Sequence, residues 1–203
     1  CCWMDSANEW YCSSNKEWTD KVMDNFIQVY DDVIGVDLCK QLIAMFEECE
    51  HQHENISLQG HRSFTQITLQ NHDDWKPFSE ALQPVFFQYV SKYCKDANVT
   101  DTMFPEQFAF EQFRMKRYLP NDFDQFKDHV DVGNYNSARR FLVFFLYLDD
   151  NEAGHTTFPQ WDIAVKPETG RMLMFPPMWT HLHAGTKPVK KPKYIIGSYL
   201  HHV

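Results

Sequence analysis

The 203-residue chain has no paired C-x-x-C spacing: its six cysteines stand at 1, 2, 12, 39, 49 and 94. A cysteine-built zinc site is therefore not expected. Cys39 and Cys49 fall in a helical pattern and read as small buried hydrophobes. Cys1, Cys2 and Cys12 lie in an irregular leader, where they could pair in an oxidising compartment; their redox state is open, and a reducing compartment is the favoured expectation. Basic residues are in deficit, with 19 Lys and Arg against 28 Asp and Glu, a net charge of −9 and a pI near 5.5. A general nucleic-acid binder is normally basic, so that class loses weight, and an acidic surface suits a basic or neutral partner. No apolar run is long enough to span a bilayer. The longest, FLVFFLYL (Phe141–Leu148), has the length of a buried strand. No positively charged start leads into an apolar stretch, so no signal peptide is visible and a cytoplasmic location is expected. The chain does not begin with Met, which leaves its true start open.

What is present is a large apolar fraction, 43%, with 16% aromatics and 17 Phe, enough for the core of one domain with some extra material. Residues 1–24 show no clean period and read as an N-terminal extension. The segment 25–106 reads as helical support. Asn25–Val33 has strand character. Leu38, Leu42, Ile43, Met45, Phe46 and Cys49 follow at helical spacing, with Asp37 as the expected cap. Ser63–Gln70 alternates as a strand or ordered loop. A second helix is carried by Leu82, Val85, Phe86, Tyr89, Val90 and Tyr93, with Pro77 suited to its first turn and Pro84 expected to kink or restart it. From Gln107 to Val203 eight short strand-like segments come in succession, separated by PND, VGNYNS, NEAG and PETG. A helical first half followed by such a series predicts a mainly β, α+β fold: a jelly-roll or barrel core with helices packed outside.

The segment FKDHVDVGN (Phe126–Asn134) holds His129 and Asp131 one residue apart. On a strand such residues point the same way, which fits either a metal site or a polar solvent face. A third ligand from a distant strand decides between them, with His155, His181, His183, His201 and His202 as candidates. Two imidazoles and a carboxylate on one face of an iron leave three positions open, the donor set of non-haem Fe(II) oxygenases.

The motifs make the reading specific. HVD, followed by LHAGTKPVKKPKY (Leu182–Tyr194), resembles the prolyl 4-hydroxylase-like branch of the Fe(II)/2-oxoglutarate-dependent dioxygenases, in which H-x-D precedes H-x-G and then a basic residue about ten positions on. GHTTFP (Gly154–Pro159), VKPETGRMLMF (Val165–Phe175) and RFLVFFLYL (Arg140–Leu148) are similar to further motifs of that family, in the same order. The resemblance covers roughly residues 25–203. It implies a double-stranded β-helix core, with His129, Asp131 and His183 as iron ligands. Lys193, Tyr118 and Tyr147 would bind 2-oxoglutarate, and His181 would be a hydrogen-bonded neighbour. It further implies Fe(II), 2-oxoglutarate and O2 as cofactors and cosubstrates, and allows for ascorbate. The implied activity is hydroxylation of an unactivated C–H, with a prolyl residue of a peptide or protein as the leading substrate and succinate and CO2 as by-products.

Three departures touch cosubstrate fit and substrate choice, the mildest being Ala153 and Gly154 in place of the family's paired glycines. The family's strand threonine is Val143 here, with Ser198 as a possible substitute, and the tyrosine often found three residues before the first ligand is Phe126. Segments 57–75 and 132–140 are expected to flank the mouth, with Arg139 or Arg140 either contacting substrate or held in an ion pair. The alternatives are a hydroxylase of another residue or small molecule, a catalytically silent metal-binding jelly roll that recognises a peptide, and a cupin-like enzyme without 2-oxoglutarate. No nucleic acid or membrane partner is expected. Oligomeric state is unread.

Overall fold

The computed structural model describes residues 26–203, together with the backbone pairing of β1 (Cys2–Met4) with β2 (Trp10–Cys12). Apart from that pairing, the expected N-terminal extension and the redox state of Cys1, Cys2 and Cys12 lie outside the described residues. Cys39, Cys49 and Cys94 are free thiols, Cys39 fully buried.

Two helices form where the apolar spacing predicts them. α1 spans Val36–Glu48 and buries Cys39, Leu42 and Phe46. Its cap differs from expectation: Gly35 is the N-cap, in extended backbone, and makes no side-chain hydrogen bond. Asp37 lies inside the first turn, where its charge instead favours the helix N-terminus. α2 spans Lys76–Asp96 with Pro77 in its first turn. It runs unbroken through Pro84, so the expected restart does not occur. Among the described residues, no helix is long and apolar enough to cross a membrane.

The strands are β3 (Gln28–Tyr30), β4 (Glu54–Leu58), β5 (Arg62–Thr68), β6 (Phe108–Phe110), β7 (Arg114–Tyr118), β8 (Gln125–His129) and β9 (Arg140–Tyr147). They continue with β10 (Thr156–Phe158), β11 (Ile163–Val165), β12 (Met172–Phe175), β13 (His183–Gly185) and β14 (Lys193–His202). They form one curled antiparallel sheet in the order β11-β10-β13-β8-β5-β7-β14-β9-β12-β3, with β4 on β5 and β6 on β14. The architecture is a jelly-roll core with flanking helices. β5, from the first half of the chain, runs between β7 and β8 and so joins the two parts of the curl.

The alternation along the central strands explains the curl. Leu142, Phe144 and Leu146 of β9, Met172 and Met174 of β12, and Ile196 and Leu200 of β14 pack in one apolar cluster with the buried faces of α1 and α2. Val143, Phe145 and Tyr147, with Leu173, Phe175, Ile195 and Tyr199, form a second cluster inside the curl. A strand buried on both faces needs a continuous apolar run, and FLVFFLYL supplies it. On β7 the same alternation sends Met115 to the helix side, while Tyr118 joins the inner cluster.

Candidate metal centre

Strands β8 and β13 pair so that His129 stands directly opposite His183, with ring centroids 4.3 Å apart. β8 ends at His129, so Asp131 is not on the same strand as expected; it follows in a turn. There the N–H groups of Asp131 and Val132 both donate to the Pro177 carbonyl, at 3.0 and 3.1 Å. This turn brings the Asp131 carboxylate back to the two rings. One oxygen lies 3.6 Å from His129 Nε2, and the other 3.5 Å from His183 Nε2. Among the described residues, these three are the one group of His, Cys or acidic side chains whose ligand atoms cluster, all within 4.8 Å of one another.

The hydrogen-bond partners fix the tautomers. His129 Nδ1 faces the Lys127 carbonyl at 2.7 Å, and His183 Nδ1 faces the His181 carbonyl at 3.0 Å. A carbonyl only accepts, so both Nδ1 atoms carry the proton, and a neutral ring at either position presents its Nε2 lone pair to the centre. Burial lowers the His183 pKa to about 4, against the pull of Asp131, so this ring is neutral near neutrality. Burial alone would raise the Asp131 pKa, but its contacts with His129, His183 and Tyr199 outweigh it and hold the carboxyl at about 2. The result is a carboxylate oxygen and an imidazole lone pair facing each other. Asp131 Oδ2 and His183 Nε2 are buried without a hydrogen-bond partner. Two buried acceptors in contact repel unless a cation lies between them, so the three residues fit a divalent metal.

Asp131 is held from behind. Tyr199 donates to its Oδ1 at 2.8 Å. The Arg140 guanidinium lies 3.9 Å over the Tyr199 ring and pairs in bidentate fashion with Glu111, at 2.7 and 2.8 Å. Of the two readings of Arg140, the ion pair is therefore the one seen. Phe126 stacks on His129 with centroids 3.4 Å apart.

A narrow cavity leads from the triad to Lys193, lined also by Tyr118, Thr156 and Ile195. Lys193 is 2% exposed. Its Nζ donates to the Gly154 carbonyl at 2.9 Å and lies 4.5 Å over the Tyr118 ring. Among the described residues no carboxylate pairs with it. Burial, helped by the nearby Lys116, depresses its pKa to about 7. Gly154 sits at φ +70°, and an added Cβ would stand 3.1 Å from the Lys193 chain; glycine is what lets this turn close over the lysine.

Other expected residues are placed differently. Tyr147 does not line the cavity: its hydroxyl meets Thr156 Oγ1 at 2.6 Å, and Thr156 forms the wall. Ser198 donates to the Glu111 carbonyl and does not replace the missing threonine in the cavity. His181 lies in the turn before β13, stacked near Trp161, and is not among the clustered ligand atoms. Tyr199, Thr156 and Lys116 were not singled out from the sequence. Counting by twos from Lys193 (Lys193, Ile195, Gly197, Tyr199) or back from Tyr118 (Tyr118, Lys116, Arg114) recovers two of them, since alternate strand residues share a face.

Residues 113–201 match the model of the 2OG-Fe(II) oxygenase superfamily. Among solved structures, the chain is similar to a viral collagen prolyl hydroxylase from Paramecium Bursaria Chlorella virus-1, solved with 2OG. The TM-score is 0.61 at 18% identity, covering 88% of this chain and 96% of that one. It is also similar to a prolyl hydroxylase from Trichoplax adhaerens in complex with a hypoxia inducible factor peptide, with a TM-score of 0.70, 14% identity and coverage of 88% and 84%. A third is a Pseudomonas putida prolyl-4-hydroxylase, with a TM-score of 0.62, 15% identity and coverage of 87% and 92%. No curated protein matches the chain. Over residues 113–201 the chain is therefore similar to a 2OG-Fe(II) oxygenase domain, and its fold is prolyl 4-hydroxylase-like. The family implies Fe(II) and 2-oxoglutarate.

Proposed function

We propose that the protein is an Fe(II)- and 2-oxoglutarate-dependent dioxygenase that hydroxylates a prolyl residue in a peptide or protein. The observation that carries this reading is the pairing of two unmet demands at the ends of one cavity. At one end Asp131 Oδ2 and His183 Nε2 are buried without a hydrogen-bond partner, clustered with His129. At the other, Lys193 holds a buried charge with no anion. A metal answers the first and a dicarboxylate reaching from it answers the second.

In this reading His129 and His183 bind through Nε2, and Asp131 through the oxygen not held by Tyr199. When bound, iron with 2-oxoglutarate and O2 supplies oxidative decarboxylation to succinate and CO2, coupled to oxygen insertion into a C–H bond. The chain's own residues supply geometry. The Lys127 and His181 carbonyls keep both rings in one tautomer, and the Tyr199 hydroxyl fixes the carboxylate plane. Lys193, on the Tyr118 face, receives the far carboxylate. The aromatic wall of Tyr118, Phe126 and Phe145 keeps water from the inner cavity. Residues 25–203 would act as one catalytic unit. The substrate is assigned to the peptide class because a wide groove, adjoining the narrow cavity, opens over His129 and Asp131, and because the Trichoplax protein was solved with a peptide in complex.

The test incubates the iron-loaded protein with 2-oxoglutarate and a library of proline-containing peptides, following succinate and a one-oxygen mass gain. Succinate that depends on iron, and an oxygenated proline, are the expected results. Iron-replete protein that never consumes 2-oxoglutarate would overturn the oxygenase reading. Oxygen added only to other residues would overturn the prolyl assignment.

A further inference from the structure

The groove over the triad has a volume of about 580 Å³, and its lining includes four cations, Arg62, Arg114, Lys116 and Arg140. In a chain of net charge −9 this is a local reversal of sign. Two of the four are already engaged, since Arg140 and Arg114 share Glu111, at 2.7 and 3.8 Å. The other two are not. The Lys116 and Arg62 side chains make no hydrogen bond or ion pair among the described residues. Lys116 Nζ lies 5.0 Å over the Phe64 ring and the Arg62 guanidinium 5.6 Å over the Phe126 ring. Phe126 in turn stacks on His129. One aromatic wall thus holds both free cations beside the triad.

Strand alternation makes this placement compulsory. On β7, Lys116 and Tyr118 face inward, whereas Arg117 faces the helix side and pairs with Glu47 of α1 at 2.7 Å. The strand thus meets the charge of one basic residue and leaves that of its neighbour open toward the groove. Lys116 borders both the narrow cavity and the groove, and Arg62 borders the groove. Burial lowers the Lys116 pKa to about 8, against the pull of Asp131, which leaves the ammonium the main form near neutrality. A dicarboxylate cosubstrate already has its two charges met, one by the metal and the other by Lys193. Lys116 and Arg62 remain for something else.

We propose that Lys116 and Arg62 form an anion-recognition pair that selects peptides carrying an acidic residue close to the hydroxylated one. The proposal rests on the oxygenase reading for its substrate position, and it departs from the basic or neutral partner that net charge alone predicts. The overall field of an acidic protein works against an acidic ligand at long range. Within a Debye length, however, the groove's own charges dominate, with low-dielectric aromatic walls strengthening them. Ile56, Leu58 and Phe145 on the same lining supply the apolar contacts that a peptide backbone needs beside them.

The test uses three labelled peptides of equal length, each with a central proline flanked by Asp, by Ser or by Lys. Binding is read by fluorescence anisotropy to the protein loaded with Mn(II) and 2-oxoglutarate, and again to the metal-free protein. The Asp peptide is expected to bind about tenfold tighter than the Ser peptide, with the Lys peptide weakest. This order should fade as salt is raised. Lys116→Gln and Arg62→Gln are each expected to remove most of the preference, and Lys116→Arg to keep it. Equal binding of the three peptides, no binding of any, or a preference unchanged in Lys116→Gln overturns the proposal. So does a Lys116→Gln variant whose loss is confined to 2-oxoglutarate affinity measured without peptide, since that assigns the lysine to the cosubstrate. If the protein takes up no metal, the oxygenase reading fails by itself, while the charge preference of the groove stays readable in the metal-free arm.

Discussion

Lys193 shows how much one side chain can reveal. An ammonium buried without an anion is disfavoured relative to its neutral form, and burial here brings the pKa from 10.5 to about 7. Between those two values the unfolded chain holds a proton that the folded chain does not. Stability therefore rises with pH across this window, and the penalty of the buried charge is fully present below pH about 7. Lys193→Met removes the charge and keeps the volume. It is expected to melt a few degrees higher than the parent at pH 7, to lose the rise between pH 7 and 10.5, and to lose 2-oxoglutarate binding while still taking up metal. Calorimetry with and without cosubstrate checks all of these together. A variant that melts lower and still binds 2-oxoglutarate would show that Lys193 has a structural role only. Tyr199 is the second informative residue, because its hydroxyl holds the Asp131 carboxylate at 2.8 Å. Tyr199→Phe leaves the ring and the Arg140 contact in place but frees the carboxylate to rotate. Metal affinity is expected to fall by roughly 10–100-fold, the range for loss of a partner that orients a ligand. Metal titration monitored beside circular dichroism separates this from misfolding.

At the scale of elements, Pro84 is a test of how α2 is held. It sits exposed in the middle of a continuous helix, where it removes one backbone hydrogen bond and crowds the preceding turn. Packing of Leu82, Phe86, Val90 and Tyr93 against the sheet holds the helix together despite it. Pro84→Ala is accordingly expected to stabilise the fold by roughly 1–3 kcal/mol, the difference in helix propensity less what proline saves in the unfolded chain. Cosubstrate turnover should be unchanged, and denaturant melts measure the gain. The same element shows what could be read from sequence. Its apolar spacing gave the helix and its buried face, because period is local information. Pro84's effect was overestimated, because tertiary packing is not. His129, Asp131 and His183 were legible through the resemblance, but their placement was not. Asp131 lies in a turn closed by the Pro177 carbonyl, and that partner is nowhere near it in sequence. The free state of Lys116 was illegible for the same reason: whether a cation meets an acid across a curl depends on strand order, here β5 between β7 and β8.

For the whole molecule, the site joins parts of the chain that only the closed curl brings together. The triad bridges β8 and β13, Lys193 stands on β14, and Tyr118 on β7 completes the cavity. A ligand that needs all of them binds the folded state and not the unfolded one, so its binding energy appears as stability. At a hundredfold excess over its dissociation constant, one such ligand adds about 2.7 kcal/mol, on the order of 5–10 °C in melting temperature for a domain of this size. Metal alone is expected to raise the melting temperature, 2-oxoglutarate to raise it further only when metal is present, and a chelator to reverse both. The order follows from the proposed site, in which a dicarboxylate held at the metal would reach the cavity's far lysine. Asp131→Ala should lose both increments, and Lys193→Met should keep the first and lose the second. If 2-oxoglutarate stabilises the Asp131→Ala variant as strongly as the parent, the dicarboxylate is held without the triad, and the cavity and the metal centre are not parts of one site.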